Sequence, residues 1–100
     1  MTAWKAVLGG SYLVSDEGQI RIDGADNVIP QRINKDGYVT VRLFILSRAV
    51  HFPVHAVVAH AFFGERPHGL VVNHKDGIKS NNRSSNFEYI TSLENVQHAV

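Results

Sequence analysis

The most informative part of this chain for its fold and its chemistry is residues Leu70–Val100, LVVNHKDGIKSNNRSSNFEYITSLENVQHAV. Two short apolar runs, Leu70–Val72 and Phe87–Ile90, flank a polar loop over residues 74–86 that is rich in Asn, Ser, Lys and Arg. Short apolar runs bounded by turn-forming residues are typical of strands. The segment therefore predicts a strand, a long loop and a second strand.

A helix is predicted after the second strand. Thr91 followed by Glu94 forms a capping box, the signature of a helix N-terminus. The helix has an apolar side and a roughly opposite polar side, with Leu93, Val96 and Val100 on the first and Glu94, Asn95 and His98 on the second. If the polar side meets Asn73 and His74, one imidazole and several oxygen atoms could together hold a divalent cation that stabilises a phosphoryl transition state.

The residues before this segment predict a β-rich scaffold and one helix. Tyr12–Val14 and Ile20–Ile22 flank a turn with Gly18 and predict a hairpin. Residues 39–45 alternate, with Val39, Val41, Leu43 and Ile45 on one face, and predict the clearest strand. A weaker strand is expected over residues 49–52. Apolar residues then recur at helical spacing from residue 54, with Pro53 before them and Gly64 as the stop.

Composition limits the possible functions. The chain of 100 residues is expected to form one small unit, and its net charge of +1 permits nucleic-acid binding without indicating it. Because there is no Cys, a thiolate zinc site is excluded, and any metal must be held by His, Asn, Asp or Glu, which favours a hard ion such as Mg²⁺. The sequence has neither an apolar run long enough to span a membrane nor a secretory signal. We therefore expect no membrane association and a cytoplasmic location, in a bacterial or phage-infected cell.

The sequence resembles a known family at several places. The matching stretches are VNHKDG (72–77), KSNN (79–82), SNFEYIT (85–91) and Glu94-Asn95, with VHAVVAHAF (54–62) and YLVSDEGQIR (12–21) before them. Together they resemble the HNH endonucleases of the phage and intron-encoded homing type, which carry a ββα-metal site. The resemblance implies an α+β fold, with an N-terminal antiparallel β module over residues 1–50 and an HNH core over residues 51–100.

The resemblance also implies a function and a set of site residues. The implied function is hydrolysis of phosphodiester bonds in double-stranded DNA, with one strand nicked by a monomer or weak dimer. The implied cofactor is one divalent ion, Mg²⁺ or alternatively Mn²⁺, and no structural zinc is expected. His74 would be the general base, and Asn86 would fix the loop that orients it. Asn73 and Asn95 would be metal ligands. The family often has Asp at the position of Asn73, so a weaker metal site is expected.

Other polar residues have less specific interpretations. Five cationic residues are candidate DNA contacts, although each could equally be a solvated surface charge: Lys75, Lys79, Arg83, Arg42 and Arg21. His51, His55 and His60 are expected to be structural histidines with satisfied hydrogen bonds, and Asn81 and Asn82 to be turn formers. Two other functions stay open, namely a DNA-binding module of this fold without cleavage and a structural protein of a phage.

Overall fold

The computed structural model describes residues 2–94, which form small antiparallel sheets around one helix. The first sheet has the order β1-β2-β3, the second β4-β5-β6, and β7 and β8 form a hairpin. The elements are β1 (Trp4–Val7), β2 (Tyr12–Ser15), β3 (Ile20–Ile22), β4 (Gln31–Ile33), β5 (Val39–Ile45), β6 (Arg48–Pro53), α1 (Val54–Phe63), β7 (Leu70–His74) and β8 (Phe87–Thr91). The α+β class predicted from the sequence is confirmed. The division predicted between residues 50 and 51 falls within β6 and stays a prediction.

Strand β5 has the alternating burial that its sequence predicts. Val39, Val41 and Leu43 are buried, whereas Arg42 and Phe44 between them are exposed. This pattern arises because successive side chains of a strand point to opposite faces. One face of the second sheet therefore belongs to the core, and the other is open to partners.

Helix α1 joins the three sheets. It follows the extended Pro53 and ends at Gly64, whose positive φ of 82° suits a residue without a side chain. Its buried face packs against strands of every sheet, and the hydrophobic core consists of buried residues from the helix and from the sheets. The helix contributes Val54, Val57, Val58 and Ala59, and the sheets contribute Val7, Tyr12, Val14, Ile20, Val39, Val41, Leu43 and Phe87. The helix predicted here is confirmed.

The hairpin of β2 and β3 is also confirmed, and its turn is held by a buried serine. Ser15 has no exposed surface, and its Oγ accepts hydrogen bonds from the backbone N–H groups of Glu17 and Gln19, at 3.2 and 2.9 Å. Gly18 closes the turn at φ 93°, a conformation that other residues rarely adopt. The turn is therefore a rigid feature at the edge of the first sheet.

Strand β7 is longer than predicted. The apolar run Leu70–Val72 predicted the strand and His74 was expected to begin the loop, whereas Asn73 and His74 both continue the strand and pair with Glu88 and Phe87 of β8. After β8, the predicted capping box is present, since the N–H of Glu94 donates to Thr91 Oγ1 and the N–H of Thr91 donates to Glu94 Oε1, both at 3.1 Å. Residues 92–94 are helical. The rest of the predicted helix, including Asn95 and His98, lies outside the described residues.

Candidate active site

His74 lies at the end of β7 and is almost buried, with 7% of its surface exposed. Its ring meets the rings of Phe87 and His55 edge-on, with centroid distances of 5.0 and 5.1 Å. Its Nε2 is hydrogen-bonded to Oδ1 of Asn82 at 3.0 Å. The imidazole is thus held by packing on two sides and by one polar contact.

Asn82 is a residue whose importance the sequence did not indicate. It was expected to be a turn former, but it is buried, with 6% exposed, and it is the polar partner of His74. The Asn81-Asn82 pair has the composition of an ordinary loop, and only the fold brings the second amide to the histidine. The sole sequence signal was its place in the KSNN stretch that resembles the family.

His55 on α1 is the second residue whose role was underestimated. It packs against Tyr38 as well as His74, and its Nδ1 is buried without a hydrogen-bond partner among residues 2–94. The expectation of a satisfied histidine is therefore wrong for this nitrogen. Burial, and secondarily the neighbouring His74, lowers the pKa of His55 from 6.5 to about 4. Its ring is neutral at physiological pH.

Asn86 organises the loop between β7 and β8. Its amide nitrogen donates to Asp76 Oδ1 and to the carbonyl of Asn81, at 2.9 and 3.0 Å, and its Oδ1 accepts from the N–H of Asp76. Hydrogen bonds from the Asn81 side chain, the Ile78 N–H and Asn86 hold the pKa of Asp76 below its ordinary value. The loop after His74 is therefore fixed by a connected set of amide and carboxylate groups.

Asn73 lies on the face of β7 opposite to His74, because adjacent strand residues alternate. It is 4% exposed, and its Nδ2 donates to Oε1 of Glu88 across the hairpin at 3.0 Å. Since the amide nitrogen is the donor, Oδ1 is the atom of Asn73 that could bind a cation. Asn95, the other predicted ligand, lies outside the described residues. Within residues 2–94, no cluster of three or more His, Cys, Asp or Glu side chains is arranged to hold a metal.

The five candidate DNA contacts differ in how free they are. Lys75 and Arg83 are exposed in the loop beside His74. In contrast, Lys79 donates to the carbonyl of Asp36 at 2.8 Å and lies over the Tyr38 ring. Arg21 is similarly engaged, since it donates to the carbonyl of Ala25 and lies over the Trp4 ring. Lys79 and Arg21 thus have structural contacts that their sequence positions did not indicate.

Arg42 lies on the open face of the second sheet, where its guanidinium is 5.2 Å from the centre of the Phe44 ring. A shallow groove on this face is lined by residues from each strand of the sheet and the segment before it, namely Ile29, Pro30, Arg32, Thr40, Arg42, Phe44 and His51. The sequence named Arg42 alone. Arg32 and His51 were missed because the pairing of β5 with β4 and β6 brings them there.

The fold and the site together define a class of protein. A hairpin whose first strand ends in a buried histidine, an asparagine-rich loop and a helix start after the second strand form the ββα arrangement that the resemblance predicted. Residues 52–97 match the family model described as HNH endonuclease. Over this segment the chain is similar to the HNH endonucleases.

The relatives extend this likeness over nearly the whole chain. The DNA endonuclease I-HmuI of Bacillus phage SP01 is 38% identical over 97% of this chain and 57% of its own length. An uncharacterised HNH endonuclease, L245, of Acanthamoeba polyphaga mimivirus is 36% identical over 100% of this chain and 30% of its own length. A solved structure described as DNA binding and cleavage by the HNH homing endonuclease I-HmuI superposes with a TM-score of 0.86, covering 95% of this chain and 56% of that one. The chain thus spans little more than half of I-HmuI and less of L245.

Proposed function

We propose that this chain hydrolyses phosphodiester bonds of double-stranded DNA, with His74 as the general base. The observation that carries the proposal is the buried imidazole of His74, held between Phe87 and His55 and hydrogen-bonded to Asn82. The match of residues 52–97 to the HNH endonuclease model supports the reaction class, and the likeness to I-HmuI, whose structure is described as binding and cleaving DNA, supports the substrate.

In this reaction the neutral imidazole of His74 takes a proton from water as the water oxygen attacks phosphorus. The bond from phosphorus to the 3′ oxygen breaks, leaving a 5′ phosphate on one fragment and a 3′ hydroxyl on the other once the leaving oxygen is protonated. A well-placed general base accelerates such a step by about 10²- to 10⁴-fold. The packing around His74 holds the imidazole in place before water binds, so the reaction does not have to bear the entropic cost of positioning this ring.

HNH nucleases generally use a divalent metal, and the side chains of Asn73 and Glu88 offer oxygen atoms of the kind that a hard ion prefers. The oxygen Oδ1 of Asn73 and the side chain of Asn95 would hold it, and the Glu88 carboxylate lies beside Asn73. Amide and carboxylate oxygens suit Mg²⁺ or Mn²⁺ rather than a soft ion. When bound, the ion would neutralise the charge that develops on the phosphate and the leaving oxygen.

Exposed cations would hold the DNA backbone. Lys75 and Arg83 flank the site, and Arg42 with Arg32 lines the groove on the second sheet. Lys79 and Arg21 would contribute less because intramolecular contacts already hold their charges. With one site per chain, a monomer would nick one strand, and a double-strand break would need two sites.

A second candidate is DNA binding without cleavage. It is favoured by one observation, the amide of Asn73 where the family often has a carboxylate, since a neutral ligand binds a cation more weakly. The two functions share the same DNA contacts, and they differ in whether His74 acts on a water molecule.

The test is nicking of supercoiled plasmid by the purified chain with Mg²⁺ or Mn²⁺. We expect the wild type to convert plasmid to the open circle and His74→Ala to lose this activity. His68→Ala, which removes an exposed histidine of the α1–β7 connection, is the matched control and should nick like wild type. Salt-sensitive DNA binding without nicking at any metal concentration would exclude cleavage and support the second candidate, DNA binding alone.

A further inference from the structure

We propose that Asn82 is a positioning residue that keeps the proton of neutral His74 on Nε2 and so makes Nδ1 the nitrogen that takes the proton from water. The inference rests on the proposed function, because it identifies which atom of the general base acts. It assigns a role to a residue that the sequence placed among turn formers.

The contact between the two side chains determines which atom donates the hydrogen bond. The Oδ1 atom of an amide has lone pairs and no hydrogen, so it can only accept a hydrogen bond. Because Oδ1 of Asn82 lies 3.0 Å from Nε2 of His74, Nε2 must be the donor. A neutral imidazole has one protonated nitrogen, and the lone pair that can accept a proton is then on Nδ1.

Burial makes this choice of tautomer strong. His74 and Asn82 are 7% and 6% exposed, so water cannot readily replace the contact if the proton moves to Nδ1. In that other tautomer, with the Asn82 amide oriented as it is here, lone pairs on Nε2 and Oδ1 would face each other in a nearly dry place. The edge-on rings of Phe87 and His55, at 5.0 and 5.1 Å, oppose a rotation of the imidazole that would relieve this contact.

Asn82 is held in place by the first sheet. The turn between β2 and β3 lies directly against its backbone, so that a Cβ added to Gly18 would come within 2.9 Å of the Asn82 carbonyl oxygen and 3.2 Å of its Cβ. The N–H of Ser84 also donates a hydrogen bond to the carbonyl of Asp16 in this turn, at 2.7 Å. The buried Ser15 fixes the turn from within. The first sheet therefore supports the residue that orients the base.

This support can be tested with a matched pair of glycines. Gly18 and Gly24 both have positive φ, 93° and 87°, but an added Cβ at Gly24 meets nothing within 4 Å. Gly18→Ala and Gly24→Ala thus impose similar backbone strain, and only Gly18→Ala pushes on Asn82. We expect Gly18→Ala to lower the kcat for DNA cleavage several-fold more than Gly24→Ala, relative to wild type.

The direct test is ¹⁵N NMR of the histidine side chains in the free protein, at a pH well above the ordinary imidazole pKa of about 6.5. The His74 signals are assigned by comparison with His74→Ala. We expect wild type and Asn82→Asp, which keeps an acceptor oxygen, to carry the proton on Nε2. Asn82→Leu, which is similar in size but has no acceptor, should populate both tautomers. At the same pH, its kcat should fall about 10- to 100-fold with KM little changed, whereas Asn82→Asp should keep most of the rate.

The inference is overturned if wild type carries the proton on Nδ1, or if Asn82→Leu changes neither the tautomer nor kcat. If Asn82→Leu does not fold, the spectrum of Asn82→Asp and the kcat values of Gly18→Ala and Gly24→Ala test the inference instead. A proton on Nδ1 in Asn82→Asp, or equal kcat values for the two glycine variants, would overturn it. The spectra need no DNA, so a wild type that fails to cleave would refute the proposed function and leave the tautomer result standing.

Discussion

At the level of single residues, the site depends on how the half-buried imidazole of His55 packs against the buried imidazole of His74. His55 and His74 are in edge contact, and Tyr38 packs on the His55 ring. His60 and Arg66 line the cavity on the same side. A positive charge on His55 would be poorly solvated, and Arg66 lines the same cavity. His55 is therefore a neutral packing partner of His74.

This arrangement predicts a pH dependence of stability. Because the pKa of His55 is lowered from 6.5 to about 4, the unfolded chain binds more protons than the folded one between these values. The free energy of unfolding should therefore decrease as pH falls from 6.5 towards 4, with a slope of at most about 1.4 kcal/mol per pH unit from this residue. Urea denaturation at a series of pH values measures the slope.

The control for this measurement is an exposed histidine. His55→Phe should flatten the slope in that range, whereas His51→Phe, on the exposed part of β6, should leave it as in wild type. Equal slopes for wild type and His55→Phe would show that the charge on His55 does not limit folding.

How far the site could be predicted follows from the same residues. His74, Asn73 and Asn86 were identified through local motif resemblance. Asn82 and His55 were not, because their importance comes from contacts with His74 across 8 and 19 residues of sequence. Loop asparagines and helix histidines have no pattern of their own that distinguishes such contacts from ordinary ones.

At the scale of elements, the alternation and spacing of apolar residues predicted β5 and α1 well. Strands β1 and β4 were not predicted, because their residues are mostly exposed and carry no alternation to detect. Pairing with β2 and β5 makes them strands. Tertiary context therefore determined the elements that local sequence left undefined.

The first two sheets are joined by a buried tyrosine, which gives a prediction at this scale. Tyr12 is 6% exposed, and its Oη accepts a hydrogen bond from the N–H of Phe44 on β5 at 2.8 Å. Tyr12→Phe leaves that N–H without its partner, and we expect a loss of about 1–3 kcal/mol in the free energy of unfolding. Chemical denaturation of the two proteins measures it.

Tyr89 offers the matched control, since its Oη donates to the Gly64 carbonyl at 3.0 Å in an exposed place. Tyr89→Phe should change the free energy of unfolding by less than about 0.5 kcal/mol, because water can replace the lost contact. A Tyr12→Phe protein as stable as Tyr89→Phe would mean that the two sheets do not depend on this hydrogen bond.

At the scale of the whole molecule, two surfaces would meet the DNA, namely the loop beside His74 and the groove on the second sheet. Arg42 lies in that groove opposite His51, whereas Arg48 pairs with Ile45 at the end of the same sheet and does not line it. We expect Arg42→Ala to weaken binding to duplex DNA and to reduce the slope of log affinity against log salt by about one. Fluorescence anisotropy with labelled duplex, over a range of salt, measures both quantities.

Arg48→Ala removes an arginine of the same sheet outside the groove and should retain the wild-type slope. If both variants lose affinity equally, the contribution is one of overall charge, and the groove is not a specific contact surface.

Single-turnover cleavage of an end-labelled duplex measures whether His74 removes the proton from the attacking water. With enzyme in excess and saturating Mg²⁺, we expect 5′-phosphate and 3′-hydroxyl ends, formed about 10²- to 10⁴-fold more slowly by His74→Ala than by wild type. Cleavage by His74→Ala at the wild-type rate, or no cleavage by wild type, would show that His74 is not the general base of such a reaction.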